Sequence, residues 1–427
     1  MKHAVTEHVL STGTQGLLID VPGGDVFNVL IRFNSGHQFV DPKMYELPHV
    51  MEHLMASRSQ KYPGSNALMI EAQKNGAMCN ANTSPDYNGY VYECADFELD
   101  RILDLLEEEI VRPLFTQADL DIERKNVREE LSKNTTDHHS ICSIALSEKA
   151  FPKEVMSYEP RLKLLDDITL EAITDYYAYA FTAANARFYI AGPIGKRSAA
   201  ITARFERLFA QLPVGKQLQV RTESGLNVAE PILQVRDISQ LYYRASIFCG
   251  DLNIRERQAL TLMRLVLIGG MGSRIKGEAR SRGLAYAVGM TSGASTGHSQ
   301  TGFIGYVTPD NAADLFAVMV KHTLDIRDGG LTKLELDNAR TLGIGTTKRS
   351  YQTASDMLGW YVGSYEDDRR INDFDTYLND LKTITVKDVS SLVGKMTGKK
   401  PHGTSFVGDI TTQKADELTA ILSPLWA

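Results

Sequence analysis

The chain has 427 residues, 43% hydrophobic and 23% charged, the balance of a soluble globular protein long enough for two domains of about 200 residues each. A net charge of −7 argues against a nucleic-acid binder, which would show a basic face, and no stretch approaches the ~20 apolar residues of a membrane span. The four cysteines, Cys79, Cys94, Cys142 and Cys249, form no C-x-x-C pair, so neither a zinc ribbon nor a disulfide framework is suggested; with no apolar leader at the N-terminus, a cytoplasmic location is expected.

In chain order, GLLIDV (16–21) and VFNVLIRF (26–33) predict strands split by the turn PGGD. Residues 45–58 and 65–75 predict helices, the second ended by Gly76. AMCNANTS and NGYVYECA predict a hairpin around PDYNG. Helices follow over 97–111, from a Thr116 cap through ERKNVREEL, and over 140–150 and 170–180, before the strand ARFYIAG closes the half. The second half repeats this ending. Ile168–Ile194 and Ile384–Ile410 align without a gap at an offset of 216 residues, with Thr169 and Gly192 meeting Thr385 and Gly408. Agreement in a helix-then-strand pattern makes a duplicated domain the better reading. The expected fold class is α+β: two homologous domains, each a mostly antiparallel sheet packed with helices, over 1–212 and 232–427, joined by a polar linker at 213–231.

The segment LPHVMEHLMA (47–56) sets His49 and His53 four apart on a helix, with Glu52 between them. Residues i and i+4 share a helix face, so two imidazoles at that spacing reach one Zn²⁺. A carboxylate beside them suits a base that takes a proton from water. The competing reading is a solvated helix face. A catalytic zinc site needs a third protein ligand, and ERKNVREEL (123–131) offers Glu123 and Glu130, seven apart and so within about 20° of eclipsed on a helix. One of the pair could ligate the metal while the other orients a neighbouring ligand. Glu129 falls on another face.

H-x-x-E-H is the inverted zinc motif of the inverzincins, and with E-x6-E downstream it resembles the pitrilysin family of metallopeptidases, which includes insulin-degrading enzyme and the mitochondrial processing peptidase. The resemblance implies Zn²⁺ held by His49, His53 and Glu130, with Glu52 as general base and Glu123 in support. It implies a substrate-binding edge strand at NANT, where Asn80, Ala81 and Thr83 match the family's N-A-x-T and an extended peptide pairs with the main chain. GGMGSRIKGEARSRGLAYAVGM (269–290) resembles the family's R…GLAY segment, in which Arg280 and Tyr286 match the arginine and tyrosine that hold substrate and stabilise the oxyanion. They stand six apart here against the family's seven, so Arg282 remains an alternative to Arg280. Arg274 matches a structural arginine.

The second half has no H-x-x-E-H. One half is therefore expected to carry metal chemistry and the other substrate contacts. Resemblance to the short branch of the family implies a homodimer closing around a chamber, the Arg/Tyr segment of one chain serving the zinc of the other; a heterodimer with a related chain is the other arrangement. The expected function is a zinc endopeptidase acting on short or unfolded peptides. The alternatives are a non-catalytic scaffold or partner subunit of the same fold, and a maturation protease dedicated to one precursor peptide.

Overall fold

The computed structural model describes residues 2–221, 223–295 and 298–427. Its first sheet has six strands: β1 (Ala4–Val9), β2 (Gln15–Asp20), β3 (Val26–Phe33), β4 (Met78–Thr83), β5 (Asn88–Ala95) and β6 (Ala186–Gly192), in the order β1-β2-β6-β3-β5-β4. The second has five: β7 (Ile232–Val235), β8 (Leu241–Cys249), β9 (Val288–Ser295), β10 (His298–Val307) and β11 (His402–Gly408), in the order β7-β11-β8-β10-β9. In the first sheet β2 runs parallel to β6, in the second β7 runs parallel to β11, and every other pair is antiparallel. Without β1, the two topologies are the same.

The 216-residue offset extends well beyond the matched ending. It relates β6 to β11, helix Leu170–Ala180 to Val386–Met396, and helix Gln117–Asn134 to Lys333–Ser350. Thr169 and Thr385 both cap the helices that follow them by accepting a backbone N–H. This is an α+β fold of two related domains.

The compact units are not contiguous in sequence. The first comprises Met1–Lys133, Tyr158–Arg221 and Tyr351–Ile371; the second Asn134–Ser157, Thr222–Ser350 and Asn372–Ala427. The linear division 1–212, 213–231 and 232–427 is thus crossed twice, because helix His138–Ala150 packs on β8 and β11 while helix Ala354–Asp368 packs on β3 and β6. These helices also begin 216 residues apart, so the exchange is reciprocal.

Strand β3 shows why the first sheet is covered on both faces. Phe27, Val29, Ile31 and Phe33 alternate into a core shared with Val50, Met51 and Leu54 of helix Leu47–Met55. Arg32 points the other way, 3.9 Å from Glu366 on helix Ala354–Asp368. Strand β1 carries no predicted run, because it is a mostly exposed edge strand whose polar residues give no apolar alternation. No helix among the described residues is long and apolar enough to cross a membrane.

Candidate metal centre

Helix Leu47–Met55 forms where the sequence places Pro at its first turn and apolar residues at Leu47, Val50, Met51, Leu54 and Met55, all buried. That stripe fixes the opposite face, where His49, Glu52 and His53 emerge half-buried. Helix Gln117–Asn134 is likewise pinned by Leu120, Val127 and Leu131, and begins at Thr116, which accepts the Asp119 N–H at 3.2 Å. Glu123 and Glu130 leave the helix together along one flank of that stripe.

The two helices bring three donor atoms together. Glu130 Oε2 lies 3.5 Å from His49 Nε2 and 3.9 Å from His53 Nε2, and one ligand atom from each residue lies within 4.8 Å of the others. Two ligands each 2.0–2.1 Å from one tetrahedral ion stand roughly 3.4 Å apart, so the separations suit a single zinc. Each imidazole is also held at its far nitrogen. His49 Nδ1 lies 3.0 Å from Glu46 Oε2, and His53 Nδ1 lies 3.0 Å from Glu123 Oε2. Both rings thus point Nε2 inward, the tautomer a metal needs. Glu129 stays exposed, away from the group.

The local field favours a cation. Burial pulls the His49 pKa down, but hydrogen bonds to Glu130 and Glu46 more than reverse this and push it up to about 9. Burial also works to raise the Glu123 carboxyl, yet His53 and the Asn126 amide, 2.9 Å away, hold it below the usual range. Two imidazole nitrogens, each with an outer carboxylate partner, and one carboxylate oxygen are a donor set that fits Zn²⁺.

Glu52 is held from the sheet side. Thr83 Oγ1 donates to Glu52 Oε2 at 2.6 Å. Thr83 ends β4, the outermost strand of its sheet, paired on one side only, with β5. Along that edge Asn80 is exposed and Ala81 half-buried. In the second unit, Arg280 and Tyr286 form their own group: the guanidinium lies 4.6 Å from the phenol ring centre and donates to the Tyr286 carbonyl at 3.3 Å. Tyr286 is 76% exposed. Arg282 is turned elsewhere, onto Glu278 at 3.2 Å and Asp314 at 3.0 Å. Arg274 is bound to Glu335, Asp325 and the Gly330 carbonyl.

Four further residues belong to the site. Glu46 is fully buried and anchored by Arg161 on helix Tyr158–Leu164. Its position three residues before His49, at the entry to the same helix, is a signal that the i, i+3 rule can detect. Arg161, Ser35 and Asn88 carry no such signal, since only the tertiary fold brings them in.

A family model described as Insulinase (Peptidase family M16) matches residues 17–159, and one described as Peptidase M16 inactive domain matches 167–342. An uncharacterized zinc protease of Streptomyces coelicolor is 22% identical over 88% of this chain and 83% of its own length. Insulin-degrading enzyme of Drosophila melanogaster is 30% identical over 29% of this chain, and the match covers 13% of that enzyme. Among solved structures, a protease from Helicobacter pylori superposes with a TM-score of 0.81 at 17% identity, covering 95% of this chain and all of that one, a likeness of fold. With one model spanning the helices that carry His49, His53 and Glu130 and the other following directly into the second half, the chain belongs to peptidase family M16.

Proposed function

We propose that this M16 peptidase is a zinc-dependent endopeptidase that hydrolyses short or unfolded peptides inside the chamber of a homodimer, with Glu52 as general base. The observation that carries the reading is the convergence of His49, His53 and Glu130 beside Glu52, each imidazole held by its own carboxylate. A silent scaffold needs none of these four in register. M16 peptidases are zinc-dependent, and His49, His53 and Glu130 are the residues that would hold the ion. When bound, zinc supplies Lewis acidity that polarises a carbonyl and activates water near neutral pH.

The chain's own groups account for the other steps. An extended peptide adds to the free edge of β4 at Asn80–Thr83, where main-chain pairing imposes little side-chain selectivity. Glu52 takes a proton from the attacking water and delivers it to the leaving amine. Tyr286, with Arg280 stacked on it, offers donors to the developing oxyanion from the partner chain. Confinement in a chamber restricts cleavage to chains that enter it.

The test is zinc content and cleavage of a quenched peptide, in wild type and Glu52→Gln. Near one zinc per chain in both, with cleavage only by wild type, supports the reading. Zinc in both with cleavage by neither favours the scaffold, and equal cleavage by both removes Glu52 as the base. A tightly folded protein cut as fast as a short peptide would rule out the chamber.

A further inference from the structure

We infer that Asn88, acting through Thr83, sets the working orientation of Glu52, and that both are positioning residues; the inference rests on the peptidase reading above. Asn88 lies opposite Thr83 in the β4–β5 pair and is fully buried. Its amide nitrogen is 3.1 Å from the Pro48 carbonyl, in the first turn of the helix that carries His49. A carbonyl only accepts, so the amide must face it with nitrogen. The amide oxygen then receives the Ser35 hydroxyl at 2.8 Å, which closes the assignment consistently.

The direction of the next bond follows. The same Asn88 nitrogen donates to Thr83 Oγ1 at 2.6 Å. A hydroxyl has one proton, and with Asn88 donating to its oxygen, that proton points to Glu52 Oε2 at 2.6 Å, much nearer than the Pro48 carbonyl at 3.5 Å. Oε2 thus holds a short hydrogen bond from the sheet, which favours Oε1 as the oxygen that takes the proton. Threonine suits the task because its branched Cβ is stiff about χ1. The chain Ser35–Asn88–Thr83–Glu52 thus locks the carboxyl plane to the sheet. Thr83 then differs in role from Asn80 and Ala81 on the same strand: it serves the base, and they meet the peptide.

The experiment uses the full zinc-loaded chain and a quenched peptide, with zinc content and thermal unfolding followed in parallel. Thr83→Val, which keeps the shape and removes the donor, is expected to lower kcat about 10–100-fold with KM within about twofold and zinc retained. Thr83→Ser restores most of kcat. Asn88→Asp, near in shape but reversed in hydrogen-bond polarity, reproduces the kcat loss in a chain that still melts cooperatively. In unfolding, the Tm loss caused by Thr83→Val at least halves in a Glu52→Ala background, because the partner is already gone. Unchanged kcat in Thr83→Val, or a raised KM with kcat intact, overturns the inference; so do additive Tm losses. If zinc-loaded wild type cleaves nothing, the peptidase reading fails, and the unfolding cycle alone still decides whether Thr83 acts on Glu52.

Discussion

His49 Nδ1 lies 3.0 Å from Glu46 Oε2, and Glu46 is itself buried against Arg161. Burial works to raise the Glu46 carboxyl, but His49 and Arg161 hold it below the usual range, so it stays an acceptor. A carboxylate fixed in this way orients the imidazole and strengthens it as a ligand. Removing such an outer partner costs roughly 10–100-fold in metal affinity. Glu46→Ala is accordingly expected to weaken zinc binding by that factor in a chelator competition, and Glu46→Gln, which keeps an accepting oxygen, by less. Wild-type affinity in Glu46→Ala would show that the contact does not support the site.

Glu109 makes the stability of the first unit depend on pH. It is 2% exposed on helix Leu99–Val111, with Tyr92 donating to it at 2.8 Å. Burial pushes its pKa up to about 7 from an ordinary 4.5, the Tyr92 bond opposing. Between those values the folded chain holds a proton that the unfolded chain has lost. Stability from this group is therefore full below about 4.5 and falls as pH rises to about 7, by roughly 3 kcal/mol in all. Glu109→Gln keeps the acceptor for Tyr92 and removes the buried charge. It is expected to raise Tm by several degrees at pH 8 and hardly at pH 5. An equal Tm difference at both pH values would sink the idea.

What was legible in the sequence follows the range of the interactions involved. His49, Glu52 and His53 are read from helical spacing, and Glu123 and Glu130 from the seven-residue step that puts them on one face. The duplication is visible at Ile168–Ile194 because cap, helix and strand recur in register, and the structure carries the same offset to helix Lys333–Ser350. There Ala339 and Thr346 stand where the first half has Glu123 and Glu130, which accounts for a second half without metal ligands. The exchange of helices His138–Ala150 and Ala354–Asp368 was not legible, since chain order places each helix with its own half and no local pattern marks which sheet it covers. Ser35, Asn88 and Arg161 escaped for a similar reason: a buried polar residue is ordinary until its partner is known.

The choice between Arg280 and Arg282 is a matter of what each already holds. Arg280 lies on the exposed Tyr286 ring, whereas Arg282 is spent on Glu278 and Asp314. Tyr286→Phe removes one donor to the oxyanion and is expected to lower kcat about 10–100-fold. Arg280→Ala is expected to fall in the same direction, and Arg282→Ala to stay within about threefold of wild type, since its ion pairs are exposed. Steady-state kinetics on one peptide checks all three. The reverse order, with Arg282→Ala the impaired variant, would move the functional role to that residue.

If each site combines Glu52 of one chain with Tyr286 of its partner, two impaired variants must complement each other. Glu52→Gln has no base and Tyr286→Phe a weakened oxyanion contact, so dimers of either alone are impaired. A mixed dimer assembles one site from the intact Glu52 of one chain and the intact Tyr286 of the other. Random exchange gives mixed dimers in half the population with one good site of two, so an equimolar mixture recovers about a quarter of wild-type activity. The assay is peptide cleavage after co-incubation long enough for subunits to exchange, with exchange followed by a labelled chain. If exchange occurs and the rate stays at the mean of the two variants, the catalytic groups come from a single chain, and the composite site is wrong.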